Sequence, residues 1–210
     1  GTDHFGRDML SRLASAIRLS FSLIVLSVGC SLLFGLLFGI LAGYLGGWTD
    51  RILTFCSDII MALPGLLLIL LFAAIALGTF WALYLGISLV MWVEFFRIVR
   101  ALTQTIAGSA EIQSSRLMGM GFWYCFKRHF FPKLAPVVMT LSAFAAGNAV
   151  LALATLGFVN VGLRPPTPEL GLMMTELFPY YYEAPWIFLQ PVLVVFLLVL
   201  SFQLMSGRVK

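Results

Sequence analysis

Two carboxylates lie within strongly apolar segments of the sequence and are the first candidates for chemistry. Asp58 lies in the segment from about residue 52 to 77, and Glu94 lies near the end of the segment from about 79 to 96. An ionised side chain at the centre of a bilayer costs about 2.5–3.5 kcal/mol or more, so such residues often mark the path of a solute or ion. Structural roles are equally open, either an ion pair such as Glu94 with Arg97 or an Asp58 side chain that reaches the inner boundary. The candidate residues of a translocation pathway are Asp58, Pro64, Glu94 and Asn148.

The sequence lacks the residue sets that catalysis would need. Its two histidines, His4 and His129, fall on opposite sides of the predicted topology, and no His, Cys or carboxylate cluster has the spacing of metal ligands. No G-x-x-x-x-G-K loop is present, so we expect no nucleotide hydrolysis, no cofactor and no metal. An intramembrane aspartyl protease would need a membrane aspartate besides Asp58, and the sequence has none. Cys30 and Cys56 lie in apolar stretches and are predicted to be small buried hydrophobic residues.

The composition places these residues in a membrane. Of 210 residues, 61% are hydrophobic and 10% are charged, and the mean hydropathy is +1.02. The segment from Phe21 to Leu45 contains no charge, and a helix of that length exceeds a hydrocarbon core of about 30 Å. We predict an all-α polytopic membrane protein, a single transmembrane domain over residues 1–210 with about five spans. The predicted spans are Phe21–Tyr44, Ile52–Leu77 with an interruption at Asp58 and Pro64-Gly65, Thr79–Phe96, Leu134–Phe158 and Trp186–Met205.

The placement of Lys and Arg predicts the orientation of the chain. With residues 101–133 in the cytoplasm, nine Lys and Arg residues lie inside and four lie outside, which follows the positive-inside rule. Residues 1–20 and 159–185 are then outer segments. Arg7, Arg12 and Arg18 would be unusual outside, and we expect an interfacial amphipathic helix there, with lipid-facing residues Met9, Leu10, Leu13 and Ile17.

Glycines and prolines predict local features of the spans and loops. The first span carries a small-residue face for close helix packing, formed by Gly29, Gly35, Gly39 and Gly43. In the second outer segment, three prolines forbid regular helix and stiffen the chain: Pro165, Pro166 and Pro168. The aromatic residues that follow fit a membrane–water boundary or a contact with substrate: Tyr180, Tyr181, Tyr182 and Trp186.

A basic interlude, AEIQSSRLMGMGFWYCFKRHFFPKLAP at residues 110–136, separates the third and fourth spans. A short helix is predicted over Ala110 to Met118, ended by Gly119 and Gly121. A second short helix should follow and stop at Pro132, ahead of the next span. The first helix could dock in a groove of a partner through apolar residues such as Ile112, Leu117 and Met118, or the loop could lie on anionic lipid.

The spacing of this interlude resembles the EAA loop of the inner-membrane permease subunits of binding-protein-dependent ABC importers. Gln113, Ser114 and Ser115 occupy the Glu-Ala-Ala triplet, Gly119 the glycine that follows it, and Phe131-Pro132 the final Leu-Pro pair. RHFFP is similar to the RHILP of the dipeptide, oligopeptide and nickel branch, and GTDHFGRDMLSRL is similar to its G-T-D-x-x-G-R-D-x-x-S-R signature. AGYLGGWTDRIL, DIIMALPGLLL and LGFVNVGLRPPTPELGLMM also match in order, so the resemblance covers nearly the whole chain. Gln113 replaces the glutamate of the family, and Leu170 stands where tryptophan is common.

The resemblance implies the second-type permease of a type I importer, in a bacterial inner membrane, with one more N-terminal span in most members. The implied partners are a second permease, two ATPase subunits that bind the ATP, and a periplasmic or lipid-anchored solute-binding protein, besides membrane lipid; no nucleic acid is implied. The interlude would be the coupling helix that docks on an ATPase, through Gln113, Ser114, Ser115, Arg116, Leu117, Met118, Gly119 and Pro132. The mechanism implied is alternating access without chemistry on the substrate. Peptides, nickel and other metal chelates or similar small solutes are the expected cargo, and an ion-coupled carrier or channel subunit is the alternative.

Overall fold

The computed structural model of the protein describes residues 1–3, 5–75 and 79–208. Helices occupy most of them. In chain order they are α1 (Met9–Leu45), α2 (Gly47–Met61), α3 (Gly65–Ile75), α4 (Phe80–Ala107), α5 (Ala110–Leu117), α6 (Phe122–Cys125), α7 (Phe131–Phe158), α8 (Leu170–Leu177) and α9 (Pro185–Arg208). His4 and the predicted end of the second span at Leu77 lie outside the described residues. We refer to the end of the bundle that carries α5 as the inner end, following the predicted orientation.

The helices confirm an all-α fold with about five spans. Within the described residues, four helical stretches are long and apolar enough to cross a bilayer: α1, α4, Phe122–Phe158 and α9. The fifth is the pair α2 and α3, which is bent by 77° at a short break. Pro64 lies in this break, where its missing N–H and its ring prevent a continuous helix. The predicted interruption at Pro64-Gly65 is therefore confirmed.

Helix α1 packs closely against α4 along three of the four predicted glycines. A Cβ atom at Gly39 would lie 2.8 Å from the Cβ of Val99, and one at Gly43 would lie 2.6 Å from the Cβ of Thr103. Gly35 faces Phe95 in the same way, whereas a Cβ at Gly29 would meet nothing within 4 Å. The glycines let the two backbones approach, as small residues do in membrane helix pairs.

The outer end of α1 differs from the predicted interfacial helix. Asp8 caps α1 by accepting a hydrogen bond from the Ser11 N–H at 2.9 Å, and the helix runs unbroken from there into the first span. Met9 is buried rather than turned to lipid. Arg12 is buried too, because its guanidinium donates to Asp3 at 2.8 Å and to Glu176 at 2.7 Å. The carboxylates of Asp3 and Glu176 compensate the charge of Arg12 and so let the start of α1 pack against the outer segment.

The predicted stop at Pro132 was wrong. Helix continues from Phe122 to Phe158, and Pro132 lies at the start of α7 directly after a π-helical turn over Phe126–Phe130. A π turn widens the backbone spacing, and this local change gives room for a proline inside a continuous helix. The basic aromatic run is therefore the inner extension of a span rather than a separate helix.

In the part of the chain that the structure describes, the buried apolar residues form two clusters. The larger lies between α1, α3, α4, α7, α8 and α9, and includes Leu83, Phe95 and Leu153. The smaller lies at the inner end, where Ile112 of α5 packs with Val99, Cys125, Phe130 and Leu134. The prediction that Cys56 is buried was wrong for this chain, because Cys56 is exposed, and Cys30 is half-buried.

Candidate functional site: the coupling loop and the α4–α7 face

Helix α5 ends in a backbone motif that needs glycine. The Gly119 N–H donates to the Arg116 carbonyl and the Met120 N–H donates to the Ser115 carbonyl, both at 3.0 Å. These two bonds form a Schellman motif, and Gly119 adopts its left-handed conformation with φ of 76°. The sequence predicted a glycine end at this point, and the structure confirms it.

The buried face of α5 is anchored to the start of the next span. Ile112 is 0% exposed and Ser115 is 5% exposed. The Ser115 hydroxyl lies 3.2 Å from Nε2 of His129, and Nδ1 of the same ring lies 3.5 Å from the Glu111 carboxylate. Lys133 donates to this carboxylate at 2.7 Å, and that charged hydrogen bond lowers the pKa of Glu111 below its ordinary value.

The opposite face of α5 is solvent-exposed and ends in an apolar tip. Gln113, Ser114 and Arg116 are exposed. Leu117 is 90% exposed and Met118 is 68% exposed, which is unusual for large apolar side chains of a short anchored helix. The guanidinium of Arg116 also stacks over the Tyr44 ring, 4.7 Å from its centroid, and so ties α5 to the end of α1.

Two residues expected on a partner-facing surface are instead buried against the rest of the permease. Ile112 contacts the inner apolar cluster, and Ser115 faces His129. The helical period explains the difference, because positions 112 and 115 share one face of α5 while 113, 114 and 117 lie elsewhere around it. Sequence reasoning missed His129 and Tyr44 as partners of α5. His129 lies one helical turn before Lys133 and close to α5 in sequence, so its contact with α5 could have been anticipated. Tyr44 lies far away in sequence, so its contact could not.

Asp58 is paired, but not in the manner expected. Its carboxylate accepts a hydrogen bond from Arg97 at 2.7 Å, which links α2 to α4 across 39 residues of sequence. The same-helix pair of Glu94 with Arg97 is absent from the ion pairs of the described residues. A second pair, Asp50 with Arg100, joins the same two helices closer to their inner ends. Asp58 and Arg97 both remain exposed, so their pair lies on the surface of the chain.

The other candidate pathway residues lie on α4, on α7 and at the bend between α2 and α3. Pro64 is exposed at the bend, beside Gly65, where a Cβ would lie 2.9 Å from Val90. Glu94 is half-buried one helical turn inward from Val90. Asn148 is half-buried on α7, and no hydrogen bond within the described residues joins it to the other three. Asp58, Pro64 and Glu94 thus lie on or beside α4, and no contact within the described residues joins Asn148 of α7 to them.

The outer segment contains a buried carboxyl group that sequence reasoning did not single out. Glu169 precedes α8 and is 0% exposed. One carboxylate oxygen accepts a long bond of 3.4 Å from the Leu163 N–H, and the other has no partner among the described residues. Burial raises the pKa of Glu169 to about 7, and the single N–H bond opposes this only weakly. Gly157 makes room for the side chain, since a Cβ there would lie 2.6 Å from the carboxylate.

Helix α8 itself was not predicted. The prolines keep the segment before it irregular, as expected, but Leu170–Leu177 forms helix and packs on α7, where Gly171 meets the backbone of Ala154. This short helix depends on long-range packing against α7. Its eight residues are too few for a helical period to be recognised in the sequence.

Comparison with known proteins adds a consistent set of relatives. Residues 35–209 match the family described as "Binding-protein-dependent transport system inner membrane component". The whole chain is 36% identical to the dipeptide transport system permease protein DppC of Haemophilus influenzae, over 71% of that protein. It is 32% identical to the glutathione transport system permease protein GsiD of Pectobacterium atrosepticum, over 70% of that protein.

A solved structure shares the fold. Inward-facing MetNI, a methionine ABC transporter, matches with a TM-score of 0.68 and 18% identity, over 96% of this chain and 98% of that one. At this identity the match speaks for the helix arrangement alone. Together with the family match and the apolar spans, it identifies the chain as a multi-pass inner-membrane permease of an ABC importer, a member of the binding-protein-dependent transport system inner membrane component family.

Proposed function

We propose that α5 is the coupling helix of this permease and that its exposed tip docks in a cleft of an ATPase subunit. The observation that carries the proposal is the contrast between the two faces of α5. Ile112 is fully buried, so the helix is held rigidly, while Leu117 is 90% exposed at its end. A rigid helix with an apolar tip suits insertion into a partner groove, because such an anchor gains affinity from apolar burial without ordering a loop.

The function that follows is energy coupling. Two ATPase subunits would bind and hydrolyse ATP, a second permease would complete the path, and a solute-binding protein would deliver the cargo to the outer face. Movement of an ATPase would be transmitted by α5 to α4 and to the Phe122–Phe158 helix, because Ile112 packs in the cluster that contains Val99 and Phe130. The permease itself binds no cofactor and does not hydrolyse ATP when it is purified alone.

Peptides and peptide-like solutes are the proposed cargo. The support is that two relatives with matches over the whole chain are named for dipeptide and glutathione transport. Neither of these two is named for nickel or a metal chelate, so that expectation stays a prediction.

The test replaces the tip of α5 and compares it with an equally exposed residue at the other end. Leu117→Asp should weaken ATPase binding by at least about tenfold, because an apolar contact worth roughly 1.5–3 kcal/mol is lost. Tyr182→Asp is the control, since Tyr182 is 94% exposed in the outer segment. The measurements are co-purification of the ATPase subunits and ATP-driven uptake by the assembled transporter. Full ATPase binding by Leu117→Asp would show that α5 is not the docking element.

A further inference from the structure

A groove runs between the inner parts of α4 and α7. Ile98 of α4 faces Thr140 and Phe144 of α7 across it, and Ser206 of α9 lies at its inner side. Its volume is about 510 Å³, which is large enough for a small organic solute. The walls are mainly apolar, so any polar group at its rim would dominate what the groove can recognise.

Glu94 and Asn148 do not line this groove, but each lies one helical turn from a residue that does. Glu94 is one helical turn outward from Ile98 on the same face of α4. Asn148 is one turn outward from Phe144 on α7. Glu94 is half-buried, and among the described residues no hydrogen bond or ion pair engages its carboxylate.

The neighbouring charges are already compensated. Arg97, one turn further inward on α4, donates to Asp58 at 2.7 Å, and Arg100 is paired with Asp50. On α7 the basic residue nearest the groove is Lys133, which is bound to Glu111 at the inner end. Glu94 is thus the uncompensated charge of this face within the part of the chain that the structure describes.

We propose that the α4–α7 groove is part of the aqueous wall of the pathway and that Glu94 recognises a cationic group, a primary ammonium, on the passing solute. A half-buried carboxylate without a counter-charge is only partly hydrated, and a cation that lies beside it offsets the cost of this lost hydration. The inference rests on the proposed function, because it requires a solute path along this chain, and it adds the chemistry that this path selects.

The experiment measures the reactivity of a cysteine in the groove of the complete transporter. Ile98→Cys is introduced in a background in which Cys30, Cys56 and Cys125 are replaced by Ala. Its reaction rates with a cationic and an anionic methanethiosulfonate of similar size are measured in membrane vesicles. We expect the cationic reagent to be favoured, and Glu94→Gln to lower the ratio of the two rates on the order of tenfold. Glu94→Asp, which keeps the charge, should retain the preference.

A second arm tests the ligand class directly. Alaninamide, which carries an ammonium group, should slow the labelling of Ile98→Cys, while neutral N-acetylalaninamide should not. This protection should disappear in Glu94→Gln. Leu193→Cys on α9, which is 54% exposed on an apolar helix, is the control for the lipid-facing surface and should react with neither reagent.

Three results would overturn the inference. Ile98→Cys that resists both reagents in a transporter with normal ATP-driven uptake would mean that lipid or the second permease covers the groove. An unchanged rate ratio in Glu94→Gln would remove Glu94 from recognition, and equal protection by the two amides would remove the ammonium. Failure of the proposed function is seen separately, in the ATPase binding of Leu117→Asp, since Leu117 lies on α5 and outside the groove.

Discussion

The Ser115 hydroxyl lies 3.2 Å from Nε2 of His129 and joins α5 to the π turn at the start of the fourth span. Ser115 is buried by this contact, whereas its neighbour Ser114 is exposed. The two serines therefore report on different properties of the loop, although they are adjacent in the EAA-like triplet. A change at Ser115 therefore tests the packing of α5 against the permease, and a change at Ser114 tests the binding of α5 to an ATPase.

A pair of tryptophan substitutions separates these properties. Ser115→Trp should disrupt the packing of α5, because a large side chain cannot enter the filled space beside His129. Ser114→Trp should leave the permease as stable as the wild type and should impair ATPase binding. The measurements are the thermal stability of the permease in detergent and co-purification of the ATPase. A normal stability of Ser115→Trp would contradict the inward position of this serine.

The left-handed conformation of Gly119 makes a second prediction. Gly119→Ala should destabilise the end of α5 by about 1–2 kcal/mol, because an L side chain is strained at a φ of 76°. Gly108→Ala is the control, since Gly108 has φ of −79° and a Cβ there would meet nothing closer than 3.6 Å. Limited proteolysis of the loop and uptake assays should show a defect for the first variant alone. Equal behaviour of the two variants would argue against the Schellman motif.

The contact of α1 with α4 predicts unequal effects for two glycines of one helix. Gly39→Ala should lower the stability of the permease by about 1–3 kcal/mol, because its Cβ would lie 2.8 Å from Val99 and push the helices apart. Gly29→Ala should be neutral or slightly stabilising, since its Cβ has open space and alanine favours helix. The melting temperature of each purified variant in detergent decides between them. A larger loss for Gly29→Ala would mean that α1 is rotated relative to this structure.

Glu169 predicts that stability depends on pH. Its pKa rises from 4.5 in the unfolded chain to about 7 in the folded protein, so the folded state binds more protons between these values. Stability therefore falls as the pH rises from about 4.5 to 7, and the penalty from this group is complete above 7, at roughly 3 kcal/mol. Glu169→Gln should remove the dependence and make the permease more stable than the wild type at pH 8, with no such gain at pH 4.

Thermal unfolding from pH 4 to pH 8 measures this effect. Glu183→Gln is the control, because Glu183 is exposed in the same outer segment. It should leave the pH profile of the wild type unchanged. Parallel profiles for Glu169→Gln and the wild type would show that the carboxyl group is hydrated in the protein.

The predicted orientation can be checked with exposed positions that the structure supplies. In a background without native cysteines, Tyr182→Cys should react with an impermeant thiol reagent in intact cells, and Leu117→Cys should react only after the inner face is opened. Both side chains are at least 90% exposed in the permease, so in cells that lack the ATPase subunits a lack of reaction reports the membrane rather than burial. The reverse labelling pattern would place α5 on the outer side and remove its role in coupling.

The amino-acid sequence by itself determined the class of the protein, the number of spans, the break at Pro64 and the glycine end of α5. These features depend on local properties, namely the length of apolar runs and the backbone limits of proline and glycine, so neighbouring residues suffice to predict them. The family motifs were likewise visible in order along the chain, and the relatives confirmed what they implied about family membership.

Only the tertiary structure decided which side chains meet. Arg97 pairs with Asp58 of another helix and not with Glu94 of its own helix. Arg12 is buried against Glu176, and the Ser115 hydroxyl contacts His129. Each outcome depends on the direction of one helix relative to another, which sequence periodicity does not specify. Glu169 shows the same limit: its burial is produced by the approach of α8 to α7, where glycines remove the side chains that would keep the two apart.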